Sequence, residues 1–223
     1  MQVSRRLLLL GSLCFAAPVM AAGLTGAPAP FDKGGVNIAV VSFVGSGDWL
    51  QAFEAGTKRQ ADALKVKLTI SSARNDNDTQ RSQIEQAINR HVDGIIINNG
   101  RPEVLKDVAQ KALDAGIKVV AYDVDLGNPA IPQIEQSDAS MARLVLEQAI
   151  KEKGKGFVGG AVYVAGFAPL DRRYKVWKEF VAANGLTEKA VWGVVNDTVP
   201  ASVADQTKAV LRANPEISVI FTP

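Results

Sequence analysis

The 223 residues are 47% hydrophobic and 22% charged, a globular balance that excludes disorder, collagen and coiled coil. Lys+Arg number 25 against 23 Asp+Glu; Arg5 and Arg6 fall in a leader, so the remainder is balanced and lacks the basic footprint of a nucleic-acid binder. Cys14 and His91 are each the only residue of their type, which excludes a disulfide framework, a multi-His metal site and, beyond the leader, a Cys nucleophile.

Residues 1–22 read as an export signal. Arg5 and Arg6 form a basic start, residues 7–20 an apolar run, and Ala21 and Ala22 a small-residue cleavage region. Ser4-Arg5-Arg6 also fits a twin-arginine route, so the route stays open. Leu13 precedes Cys14 where a lipoprotein signal needs a small residue. A soluble periplasmic product is expected. Residues 23–35, rich in Gly, Ala and Pro, read as a flexible lead-in.

From residue 36 the pattern alternates. Residues 36–43 are an apolar strand, and 48–64 a helix with Leu50, Phe53, Thr57, Ala61 and Leu64 on one face. Residues 66–71 alternate as a strand. Asn77 and Asp78 can cap the next helix, which carries Ile84, Ala87 and Ile88. A buried strand follows at 94–98, then a helix opened by Pro102, then a strand at 118–122. This βαβαβαβ order implies a parallel, doubly wound sheet. Residues 127–136 break the rhythm with two prolines. It resumes as helix 140–153, strand 157–164, helix 172–183, strand 191–195, helix 202–214 and strand 218–221. The expected architecture is α/β, with a first lobe at 36–134 and a second at 135–223. A parallel strand is normally followed by a covering helix. The second lobe is therefore expected to be unfinished, with the chain a truncated frame or fragment; an edge strand at a natural terminus is the alternative.

Ligands of open α/β sheets sit beyond the carboxyl ends of the strands. Those positions hold Asp48 and Trp49, Asn98 and Asn99, Asp123 and Asp125, Arg172 and Arg173, and Asn196-Asp197-Thr198. Carboxylates, amides and guanidinium groups bond hydroxyls with fixed geometry, and an indole face covers the C–H side of a sugar ring. The set suits a neutral polyol. Each residue has a plainer role open to it: Asp48 as a helix cap, Trp49 as core, Asn98-Asn99-Gly100 as a turn, Asp123 as a solvated loop acid. Arg172 and Arg173 are adjacent, so at most one is expected to face inward. His91 reads as a surface residue.

A nucleotide reading of Gly45-x-Gly47 fails. Leu50 replaces the third glycine, Ser71-Ser72 stand where an acid is needed, and Asp48 would repel a pyrophosphate. A hydrolase reading lacks a Gly-x-Ser-x-Gly elbow. Residues before 36 hold a signal rather than a DNA-binding helix pair.

The order and spacing of Gly47-Asp48-Trp49-Leu50, Val92-Asp93-Gly94-Ile95-Ile96-Ile97-Asn98, Gly116 to Asp123, Ser137-Asp138, Gly166, Arg173 with Trp177, and Asn214-Pro215 carry a resemblance. The chain resembles the periplasmic sugar-binding proteins of ABC importers, the ribose- and galactose-binding type, from about residue 36 onward. The resemblance implies two α/β lobes that close on a small sugar or polyol, a monomer, delivery to a membrane permease, and neither enzyme activity, cofactor nor metal. It implies that Trp49 stacks on the sugar, that Asn98 and Asp123 bind its hydroxyls from the first lobe and Arg173 from the second, with Asp197 and Thr198 near another contact. Asp48 joins them as a candidate. Val124 replaces an arginine of ribose binders, and a further family contact falls past Pro223. The alternative function is a receptor presenting a sugar or furanosyl-type signal to a chemoreceptor or sensor kinase.

Overall fold

The computed structural model describes residues 26–193 and 199–223. In it, strand β1 (Asn37–Ser42) lies inside a parallel ladder because its Ala39 and Val41 serve one face and Val40 the other. Strand β2 (Lys67–Ser72) pairs on one side and β3 (Gly94–Asn98) on the other. Strands β4 (Lys118–Tyr122) and β5 (Gln133–Ile134) complete a five-stranded parallel sheet in the order β2-β1-β3-β4-β5. Strands buried on both faces read as continuous apolar runs, as 94–98 does.

Helices α2 (Asn77–Asn89) and α3 (Pro102–Asp114) cover one face. Ile84, Ala87, Leu105, Val108, Ala109 and Ala112 pack there on Ala39, Val41, Ile95, Ile97 and Ala121. The alanines let the helix axes approach the sheet. Helix α1 (Asp48–Ala63) lies beside β2 and buries Leu50 and Ala61; Phe53, Thr57 and Leu64 of its expected face are half-buried. The cap of α2 is Asp76, whose Oδ1 accepts from the Thr79 N–H at 2.7 Å, rather than Asn77 or Asp78, which lie inside the helix.

After β5 the chain enters α4 (Asp138–Lys153), β6 (Val158–Val162), α5 (Ala168–Ala183), β7 (Thr187–Trp192), α6 (Val199–Ala213) and β8 (Ile217–Phe221). These strands form a parallel sheet in the order β7-β6-β8. Helices α4 and α5 bury Ala142, Leu146, Val176 and Trp177 on one face against Phe157, Ala161 and Phe221. The architecture is the expected two-lobed α/β arrangement of parallel sheets. Helix α5 starts four residues before the expected 172, with Pro169 in its first turn. Strand β7 lies at 187–192, upstream of the expected 191–195. Its Glu188 and Lys189 hide it from a hydrophobic reading, yet alternate residues point inward as in any strand. No helix of the described residues is long and apolar enough to cross a membrane. The expected signal at 1–22 lies outside the described residues.

Candidate functional site

Both sheets turn the carboxyl ends of their strands toward a common cleft of about 480 Å³, lined from the first lobe by Phe43, Trp49 and Asp123 and from the second by Tyr163, Phe167 and Arg173. A cleft of this size suits a small organic ligand.

On the first-lobe wall, three polar residues that follow strands share one backbone conformation. Asn75, Asn99 and Asp123 have φ of 66°, 58° and 53°, and all three line the cleft. Outside glycine, Asn and Asp tolerate this left-handed conformation best. The backbone is held there by hydrogen bonds that extend the ladders, with Asn99 and Asp123 one residue past β3 and β4 and Asn75 three residues past β2. Asn75 N–H donates to Phe43 O at 2.8 Å, Asn99 N–H to Tyr122 O at 2.9 Å, and Asp123 N–H to Ile134 O at 3.0 Å. The turn re-aims each side chain from the sheet into the cleft. Sparsely populated dihedrals of this kind gather at functional sites.

Asp123 is the most constrained of the three. It is only 4% exposed, and its Oδ1 is buried without a hydrogen-bond partner. Burial, and then the negative charge of Asp138, push its pKa above the ordinary carboxylate value, while Arg173 and Arg172 pull the other way, as does a hydrogen bond from the Gln136 backbone. A buried acceptor left unpaired costs about 1–3 kcal/mol. A ligand hydroxyl would satisfy it.

On the opposite wall, Arg173 reaches the cleft from the second turn of α5. Its Nε donates to Asp138 Oδ1 at 2.7 Å, and Arg172 binds Asp138 Oδ2 through Nε at 2.8 Å and Nη2 at 2.7 Å. Only Arg173 of the pair lines the cleft, as adjacency in a helix requires. Beside it, Tyr163 donates its hydroxyl to Asp171 Oδ1 at 2.7 Å and stacks on Tyr174 with ring centres 3.9 Å apart. Burial and then the bond to Asp171 raise the Tyr163 phenol to about 12, so it stays protonated. Asp171 also accepts from the Gly166 N–H at 3.1 Å, fixing the loop that presents Phe167.

The lobes touch at this loop. Phe43 meets Phe167 with ring centres 5.6 Å apart, and the Arg101 guanidinium sits 4.8 Å above the Phe167 ring. A Cβ at Gly166, whose φ is +95°, would collide with Arg101. A side chain at 166 would have to push the Arg101 guanidinium aside.

The residues expected from sequence divide as follows. Trp49, Asp123 and Arg173 line the cleft. Trp49 is 38% exposed and also stacks on Phe53, with centres 5.6 Å apart, so it is part rim and part packing. Asn98 is fully buried and does not line the cleft; its amide donates to Ser42 Oγ at 2.9 Å, and its Oδ1 accepts from Asn99 Nδ2 at 3.0 Å. It braces Asn99, which faces the cleft in its place. Asp48 is exposed at the first position of α1, outside the lining, and Gly47 rather than Asp48 occupies the cap. Asp197 and Thr198 lie outside the described residues. Val124 is buried in the first core and does not line the cleft. Phe167, in the stretch 166–173 that follows β6, lines the cleft, and so do Asn75, Gln136, Tyr163 and Phe43, which were not expected there. Asn75 carries only a weak signal, three residues beyond the end of β2, and Phe43 reads as part of an apolar strand. Among the described residues no group of His, Cys, Asp and Glu could hold a metal ion.

Comparison with known proteins agrees with this geometry. A family model described as "Periplasmic binding protein domain" matches residues 38–223. The D-xylose-binding periplasmic protein of Escherichia coli (strain K12) is 43% identical over 120 residues, which are 54% of this chain and 36% of that protein. The crystal structure of a 5-methylthioribose transporter solute binding protein from Thermotoga lettingae TMO, in complex with 5-methylthioribose, superposes with a TM-score of 0.79 at 33% identity, covering 83% of this chain and 59% of that one. An ABC transporter solute binding protein from Burkholderia graminis C4D1M, in complex with D-arabinose, gives a TM-score of 0.75 at 26% identity, covering 85% of this chain and 66% of that one. The chain thus spans less than two thirds of the length of each of these proteins.

Proposed function

The chain belongs to the periplasmic binding protein domain family, and from that premise we propose that it receives a pentose between its two lobes and hands it to the membrane permease of an ABC importer. The observation that carries the reading is the pair Asp123 and Arg173. A buried carboxylate oxygen without a partner faces the same cleft as a guanidinium from the other lobe. A polyhydroxylated ring satisfies both, donating to one and accepting from the other. Trp49 at the rim offers an aromatic face to the C–H side of such a ring.

Because the two groups belong to different lobes, a ligand that bonds both favours the closed arrangement. Closure is driven by that differential affinity. An analogue lacking a hydroxyl at Asp123 leaves the carboxylate unpaired, at about 1–3 kcal/mol. The relatives are solute-binding proteins rather than enzymes, and the proposed role is likewise binding without turnover. The basic, apolar and small-residue sequence of residues 1–22 supports export of the protein to the periplasm.

D-xylose is the first ligand to test, given the 43% identity to a protein named for it. Calorimetric titration of D-xylose, L-arabinose, D-arabinose and D-ribose into the full-length protein should give saturable, one-site binding for at least one pentose. Absence of heat with all four, together with unchanged melting temperature, would falsify the reading.

A further inference from the structure

Asp138 has no place in the cleft lining, yet it is 2% exposed and both its oxygens are bonded to arginines. Arg172 spans further to Glu135 Oε2 at 2.9 Å. The result is an alternating chain, Glu135, Arg172, Asp138, Arg173, running from the crossover after β5 to the wall of the cleft. Charge-assisted hydrogen bonds such as the two that Arg172 Nε and Arg173 Nε make to buried Asp138 are strong and directional.

The chain matters because of what stands opposite. Asp123 Oδ1 is unpartnered, and Arg173 is near enough to act on its charge. In an empty cleft these two groups attract. Their direct pairing would consume the acceptor and the donor that a ligand needs. Asp138 takes the Nε edge of Arg173 at 2.7 Å and so fixes the plane of the guanidinium. Among the described residues, no hydrogen bond uses the Nη atoms of Arg173, and these remain for the cleft. We propose that Asp138 is a positioning residue: it holds Arg173 away from Asp123 and presents its outer N–H groups to ligand. This rests on the reading of the cleft as a pentose site.

The role predicts a non-additive cycle. D-xylose would be titrated into the full-length wild type, Asp138→Asn, Arg173→Ala and the double variant, with melting curves beside each. Asp138→Asn keeps the volume and loses the charge; its affinity should fall about tenfold or more, a size typical of residues coupled in one network. In the Arg173→Ala background the same change should alter affinity by less than about twofold, because the two bonded residues act as one unit. The ¹⁵Nε–H resonance of Arg173 should move in the unliganded Asp138→Asn variant. Should that variant not fold, Asp138→Glu, which keeps the charge on a longer arm, takes its place with the same expected loss. Wild-type affinity in the single variant, or losses that multiply in the double, overturns the positioning role while leaving the pentose site standing. A wild type that binds no pentose overturns the site itself, and this role with it.

Discussion

The main core of the first lobe is built of aliphatic side chains, and that of the second mixes aliphatics with large rings. Around β3 the neighbours are Val, Ile, Leu and Ala. Around β6, Trp177, Phe157 and Phe221 join Leu146, Val176, Val181 and Leu186, with Trp177 and Phe221 stacked at 5.3 Å. The difference is written into β6 itself. A Cβ at Gly159 would lie 2.6 Å from Trp177 Cη2, and one at Gly160 2.6 Å from Trp192 Cζ3. Successive residues of a strand face opposite ways, so the two glycines admit one indole on each side of the sheet. Each indole is then tied by its N–H: Trp177 to Glu188 Oε2, and Trp192 to Thr207 Oγ1 at 2.8 Å. Glu188 also accepts from Tyr174 and Lys178. The first lobe is thus an area-driven core, spread over many small contacts. The second rests on a few large, directional ones.

The contrast is most open to attack at Trp177. Trp177→Ala should cost about 3–5 kcal/mol, because it opens a cavity and strips a donor from Glu188; a urea midpoint close to wild type would mean the ring is not the keystone. Gly159→Ala should cost about 1–3 kcal/mol by overpacking, and pairing it with Trp177→Phe should recover part of that loss in the same urea series. In the first lobe, Ile97→Val removes one methylene from a buried site and should cost only about 0.5–1.5 kcal/mol. A cost as large as that of Trp177→Ala would erase the contrast. At the small end, Lys58→Ala breaks an exposed pair with Glu54 and should shift stability by under about 1 kcal/mol, read as an almost unchanged melting curve.

The same contrast decides how much of the fold is legible in the sequence. Strands β3 and β4 match their expected bounds at 94–98 and 118–122 because unbroken apolar runs end in turn residues. The expected start of β7 lies four residues too late. Its inward positions include Glu188, whose partners Tyr174, Trp177 and Lys178 come from another helix. No local pattern announces that a glutamate has three distant donors. Strand β5 has two exposed residues and no hydrophobic signal at all.

The site follows the same rule. Trp49 and Asp123 are legible because they stand at a helix start and just beyond a strand end, and Arg173 through the resemblance. Asn98 and Asn99 are not separable by type. They differ in ladder position: Asn98 is the last residue paired to β1, opposite Ser42, and Asn99 is the first to turn left-handed. Counting strand alternation favours Asn99. The buried role of Asp138 is visible in the sequence only as part of a resemblance, since two arginines 34 and 35 residues away complete it.

Asp123 offers a test in which stability and binding move apart. Its pKa is raised, so the folded state holds the proton more tightly than the unfolded chain does. Its stabilising contribution is full below the ordinary value of 3.8 and is lost as pH rises through the folded pKa. At neutral pH the ionised group is therefore a cost to folding that ligand offsets. Affinity for D-xylose should fall on acidification earlier than an ordinary aspartate would dictate, and Asp123→Asn should remove that dependence.

The most direct measurement is D-xylose calorimetry on wild type and Asp123→Asn at pH 7, with thermal melts of both proteins without ligand. The variant should melt at or above the wild-type temperature and bind at least about tenfold more weakly, the loss expected for one unpaired buried hydrogen bond. Equal affinity, or a loss of affinity matched by a loss of folding stability, contradicts the proposed site and removes Asp123 from it.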